Sequence, residues 1–152
     1  MKFHPFPPSN LQLIQRRPAP AKRRHVLIIE DDGPVRAMLY ETLTAHGYRA
    51  TACAGRGEAV RVSRTCSEPI DLILADLSAL GKAGLEEVRQ AIPNGCHTGV
   101  LLISGNVLSE EVQMVRRELA HPFLGKPFLG SELLDALEGT LTARFRSEDV
   151  AR

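Results

Sequence analysis

Between positions 25 and 141 the apolar residues alternate between short unbroken runs and stripes at helical spacing. The runs Val26-Leu27-Ile28-Ile29 and Val100-Leu101-Leu102-Ile103, and the stretch 70–75, each stop abruptly at polar residues: Glu30-Asp31-Asp32, Ser104-Gly105 and Asp76. Runs of this length suit strands buried on both faces of a parallel sheet. Strands are expected over 26–29, 49–53, 70–75, 100–103 and 122–125. Between them, Val35, Met38, Leu39 and Leu43 recur at helical spacing, with Asp32 as cap, Pro34 in the first turn and Gly47 as stop. A second helix is expected over 58–65, broken by Ser67-Glu68-Pro69, and a third over 85–92, stopped by Pro93-Asn94-Gly95. Ser109 is expected to cap a fourth helix whose first turn holds Glu110 and Glu111, where the helix dipole favours anions. Ser131 is expected to cap a fifth, along Leu133, Leu134, Leu137 and Leu141.

Five successive strand–helix units predict an α/β fold: a doubly wound parallel sheet with helices on both faces. In such sheets ligands bind beyond the carboxyl ends of the strands, where the polar residues of interest here fall. Residues 1–24, with prolines at 5, 7, 8, 18 and 20 and basic residues at 16, 17 and 22–24, are expected to form a Pro-rich basic tail or linker. The folded domain is expected over 25–145 and a frayed tail over 146–152.

Composition narrows the possibilities. A net charge of +1 gives no electrostatic argument for direct nucleic-acid or membrane binding, and aromatics at 5% are too sparse for a base-stacking platform. No apolar run approaches a bilayer span, and the first ten residues lack a signal-peptide pattern. Cys53, Cys66 and Cys96 have no metal-site spacing and read as reduced thiols, which points to a cytoplasmic setting.

The strand ends carry the chemistry. If the first and third strands are adjacent, Glu30, Asp31 and Asp76 converge. Two unit charges about 4 Å apart repel by roughly 4 kcal/mol at an effective dielectric near 20, so such a cluster calls for a cation. Mg²⁺ suits one or two carboxylates with waters and a phosphate. Lys126 ends the fifth strand and adds a second cation, and Ser104 offers a hydroxyl. A free carboxylate beside a metal and a lysine can act as nucleophile towards a phosphoryl group.

The segments HVLIIEDDGPVR at 25–36, DLILADL at 71–77, LLISG at 101–105 and GKPF at 125–128 together resemble the receiver domains of response regulators, in the family's order and approximate spacing. The resemblance covers about residues 25–145. It implies a flavodoxin-like fold with strand order 2-1-3-4-5 and makes Asp76 the phosphoacceptor, acting with Lys126 and Ser104. It further implies a Mg²⁺ site made of Asp31, Asp76 and the Ser78 backbone carbonyl, with Glu30 acting through water. Ser104 and Phe123 become the switch pair, and Lys126-Pro127 a cis peptide. Implied partners are a histidine kinase or phosphotransfer protein, and a downstream protein or a second copy docking on the face of the fourth helix, fifth strand and fifth helix. The chain departs from the family at Leu80, where a proline is usual, at Ala83, where an acid is usual, and across 119–122.

Three functions compete: a phosphorylated switch, a pseudo-receiver that only binds partners, and an Asp-nucleophile phosphatase. The last needs an acid for leaving-group protonation, and Leu77-Ser78 after Asp76 supplies none. The expectation is therefore a switch without classical enzymatic turnover, either standing alone or serving as the receiver portion of a larger protein such as a hybrid histidine kinase.

Overall fold

The computed structural model describes residues 23–55, 57–92, 97–106, 108–119 and 121–150. Its strands are β1 (His25–Ile29), β2 (Arg49–Cys53), β3 (Leu72–Asp76), β4 (Gly99–Ser104) and β5 (Phe123–Gly125). The helices are α1 (Gly33–Ala45), α2 (Glu58–Thr65), α3 (Leu77–Ala91), α4 (Glu110–Leu119) and α5 (Gly130–Val150). All strands pair in parallel, in the order β2-β1-β3-β4-β5, as the resemblance implied.

The unbroken apolar runs have the expected cause. Alternate residues of one strand enter different cores, because successive side chains point to opposite faces. Leu27, Ile29, Ile73, Ala75 and Leu102 pack with Ala59 of α2 and with Leu85 and Val88 of α3. Val26, Ile28, Leu72, Leu74, Leu101 and Ile103 pack with Leu39 and Leu43 of α1 and with Leu133, Leu137 and Leu141 of α5. Each fully buried Leu or Ile contributes roughly 1.5–3 kcal/mol relative to exposure, so the two layers lock β1, β3 and β4 as the centre of the molecule.

Helix ends follow the sequence in part. Asp32 caps α1, its Oδ1 accepting from the Val35 amide at 2.9 Å, with Pro34 in the first turn. Gly47, at φ +85°, takes the left-handed conformation that ends the helix. Ser109 Oγ accepts from the Val112 amide at 3.2 Å, as expected of a cap.

Three expectations are corrected. Helix α3 starts at Leu77, directly after Asp76, and not at 85. With Leu80 where a proline would block the helix, Gly81 and Gly84 each cost about 1 kcal/mol but do not break it. Ser131 is not the cap of α5: the helix begins at Gly130, and Glu132 reaches back to accept from the Leu129 amide at 2.7 Å. That contact is one half of a capping box. Helix α5 also continues to Val150, so residues 146–150 are helical where a frayed end was expected. Residues 1–22, which make up most of the expected tail, lie outside the described residues, as do Cys96 and 151–152.

Candidate functional site

The sheet register brings the site together. Ile29 pairs with Ala75, so Glu30 and Asp76, each one residue further on, stand at the same level on neighbouring strands. Asp76 is opposite Ile103 on β4, and Ser104 is opposite Gly125 on β5, immediately before Lys126. The Lys126 amide donates to the Ser104 carbonyl at 2.8 Å, and the Lys126-Pro127 peptide is cis, as the resemblance implied.

From this turn the Lys126 ammonium donates to Glu30 Oε2 at 3.0 Å and to Asp76 Oδ2. Both carboxylates are buried. The other oxygen of Glu30, Oε1, accepts from the Asp32 amide at 3.0 Å. Arg36 fixes the turn between β1 and α1, donating to the carbonyls of Glu30 at 2.7 Å and Asp31 at 3.2 Å.

Burial and the adjacent Asp76 carboxyl push Glu30 up to about 7, against the Asp32 amide and Lys126, which favour its charged form. Burial alone would lower Lys126, but its hydrogen bonds to Asp76 and Glu30 outweigh it and hold the ammonium above its ordinary value. The result is a buried carboxylate, Asp76, held against a firmly charged lysine, with a second carboxyl close to its titration midpoint at neutrality.

The other expected residues take distinct positions. The Asp31 side chain is exposed at the end of β1. Ser104 is fully buried, and its Oγ accepts from the Asn106 amide at 3.2 Å. Phe123 is half-buried and packs against the α2–α3 core layer. Ser78 falls in the first turn of α3, where a carbonyl points along the helix axis. A role for that carbonyl as a ligand needs the turn to open.

The expected convergence of Glu30, Asp31 and Asp76 is corrected: Lys126 bridges Glu30 and Asp76, Asp31 is exposed, and among the described residues no three acidic, His or Cys side chains group as a metal cage. Mg²⁺ does not need one: one or two carboxylates with waters suffice, and Asp31 and Asp76 are hard oxygen donors at adjacent strand ends. The residues present fit that ion. Cys53 does not belong to the site: it is buried in the core and its thiol is pushed up to about 11 by burial, which keeps it unreactive. No described helix is long and apolar enough to cross a membrane.

Two contacts escaped the sequence reading. Arg36 sits within the 25–36 segment, yet nothing in its spacing marks it as the brace of the β1–α1 turn. The Arg116 guanidinium lies 5.1 Å from the centroid of the Phe123 ring, a pairing between helix and strand that only the fold creates.

The sequence model of the response regulator receiver domain matches residues 26–138. The regulatory protein VirG of Agrobacterium fabrum is 35% identical over 122 residues, which are 80% of this chain and 47% of VirG. The chain thus spans about half the length of the curated relatives it matches. Among solved structures, the receiver domain of sensor histidine kinase PA1611 from Pseudomonas aeruginosa PAO1, with magnesium coordinated in its active site cleft, is 27% identical. Its TM-score is 0.65, over 79% of this chain and 98% of that one. A CheY-like receiver domain protein from Methanospirillum hungatei JF-1 superposes with a TM-score of 0.70 at 20% identity, covering 82% of this chain and 98% of its own.

Proposed function

The chain belongs to the response-regulator receiver family of two-component systems, and on that premise we propose that it is a phosphoacceptor switch whose acceptor is Asp76. The observation that carries the reading is the Lys126 ammonium bridging the buried carboxylates of Asp76 and Glu30. An Asp76 oxygen attacks the phosphorus of a partner's phosphohistidine. The P–N bond breaks, the imidazole leaves with its electron pair, and an acyl phosphate forms on Asp76. Lys126 pairs with the transferred group as a point charge. Ser104 donates its hydroxyl to a phosphoryl oxygen.

Mg²⁺, when bound, neutralises charge on the phosphoryl oxygens as they cross. Asp31 and Asp76 would hold the ion, with Glu30 in support and the Ser78 carbonyl as a further oxygen ligand. The phosphoryl donor is a cytoplasmic histidine kinase or phosphotransfer protein. The face of α4, β5 and α5 is read by a downstream protein or a second copy, with Ser104 and Phe123 as the switch pair. The chain lacks classical turnover: its chemistry is its own phosphorylation and dephosphorylation.

Acetyl phosphate with Mg²⁺, followed by intact-protein mass spectrometry, tests the reading. One phosphoryl group per chain is expected, absent without Mg²⁺ and absent in Asp76→Asn. An unlabelled wild type sinks the proposal, as does a label that survives Asp76→Asn.

A further inference from the structure

Arg116 on α4 is the one arginine found over an aromatic ring among the described residues. Its own helix explains why the guanidinium is available. Arg61 and Arg89 each lie within ion-pair distance of a glutamate three residues earlier, Glu58 and Glu86. One turn before Arg116 stand Val112 and Gln113, neither of them a carboxylate, and no described ion pair engages it. The face of the Phe123 ring is left as its partner, and the ring's negative quadrupole attracts the charge.

The ring is tied to the chemistry by a short stretch of backbone. Phe123 pairs with Leu102 and opens β5, which is three residues long and ends at Gly125, opposite Ser104. Lys126 follows at once, its amide bonded to the Ser104 carbonyl. A rotation of the Phe123 ring therefore occurs two residues along β4 from the Ser104 hydroxyl and three along the chain from the Lys126 ammonium.

We infer that Arg116 is a positioning residue of the switch: its guanidinium holds the Phe123 ring in its half-buried setting, and this stack must break before the ring can turn inward. The inference rests on the reading of Asp76 as phosphoacceptor. Arg116 thereby sets how far the unphosphorylated protein already occupies the active arrangement. A ligand that favours the inward state binds with an apparent affinity reduced by the fraction of molecules not in that state.

The test is the affinity for beryllofluoride with Mg²⁺, joined to NMR of the Phe123 ring. Arg116→Gln should bind beryllofluoride about two- to fivefold more tightly than wild type, the factor expected for losing a cation–π contact at an exposed site. Before any beryllofluoride is added, its Phe123 resonances should already be displaced towards their positions in the bound wild type. Arg116→Lys, which keeps the charge, should stay near wild type. Arg116→Met keeps the apolar stem and should repeat the Gln result, which separates loss of charge from loss of packing. In a Phe123→Leu background, Arg116→Gln should change nothing, because the partner ring is gone. Unchanged affinity and resonances in both Arg116→Gln and Arg116→Met overturn the inference, as does an equal effect in the Phe123→Leu background. If wild type itself gives no beryllofluoride response, the reading of Asp76 falls, and the role of Arg116 falls with it.

Discussion

Lys126 Nζ lies 3.0 Å from Glu30 Oε2, although 96 positions separate the two residues in the chain. The same ammonium also pairs with Asp76, so one cation serves two buried carboxylates. Lys126→Met should therefore destabilise the fold by about 3 kcal/mol, at the low end for removing one partner of a buried pair, because the lysine keeps some contact with solvent. The deficit should be larger above about pH 7 than below it, because Glu30, already raised to about 7 with Lys126 beside it, costs more to ionise next to Asp76 once the ammonium is gone. Urea unfolding at pH 6 and pH 8 measures both effects, and an equal loss at the two pH values contradicts the repulsion argument.

Millimolar Mg²⁺ should raise the melting temperature of the wild type, since an ion bound only by the folded state stabilises it by mass action. The shift should be small or absent in Asp31→Asn and in Asp76→Asn. If Asp31→Asn gives the wild-type shift, Asp31 is not a ligand.

The cap position of helix α2 is Gly57, which has no side chain to supply an acceptor, and the missing acceptor comes from α3. Glu87 Oε1 accepts from the Gly57 amide at 2.7 Å and from the Ala59 amide at 3.4 Å. Glu87→Ala should cost about 1 kcal/mol, the usual value of a lost N-cap, and should speed hydrogen exchange at the Gly57 amide ahead of the rest of the fold. Unaltered exchange there removes Glu87 as the cap.

His25 gives the protein an acid-sensitive element away from the site. Its imidazole is buried, with Nε2 2.9 Å from Thr51 Oγ1. Burial and the Arg49 cation hold its pKa below 6.5, against the Pro69 carbonyl, Glu68 and Asp71, which favour the charged form. The unfolded chain therefore takes up the proton first. Stability is complete above the unfolded value near 6.5 and declines as the pH falls from there towards the lowered folded value. Glu30, raised to about 7, works in the opposite sense over the same window, so the His25 share is read as a difference between melting curves: from pH 7 to pH 5, His25→Gln should lose less stability than the wild type. A parallel decline in His25→Gln assigns the acid sensitivity to other groups.

Much of the site was legible because polar residues closing apolar runs are conspicuous. Glu30, Asp31, Asp76, Ser104 and Lys126 were all marked by where their strands stop, and the register then placed Glu30 and Asp76 side by side. Contacts made across the fold left no such mark. Glu87 lies 30 positions from the amide it caps, and Arg116 meets Phe123 only because α4 packs beside β5. The third helix was expected over 85–92 but starts at Leu77, since with no proline between 77 and 84 a helix carries the modest cost of Gly81 and Gly84. The cap of α5 was misassigned for a related reason: Ser131 and Glu132 are both capping residue types, and only the geometry shows that the glutamate makes the contact.

Helix α3 has a mechanical consequence. While its first turn stays closed it leaves Asp76 with no intervening slack, so the aspartate is the pivot of a rod of 15 residues, about 22 Å long at 1.5 Å per residue. A hinge of loop residues at this point would absorb strain locally; a rod transmits it. Glu87 grips the start of α2 partway along that rod, so a small tilt at Asp76 is delivered as a tug on a second helix.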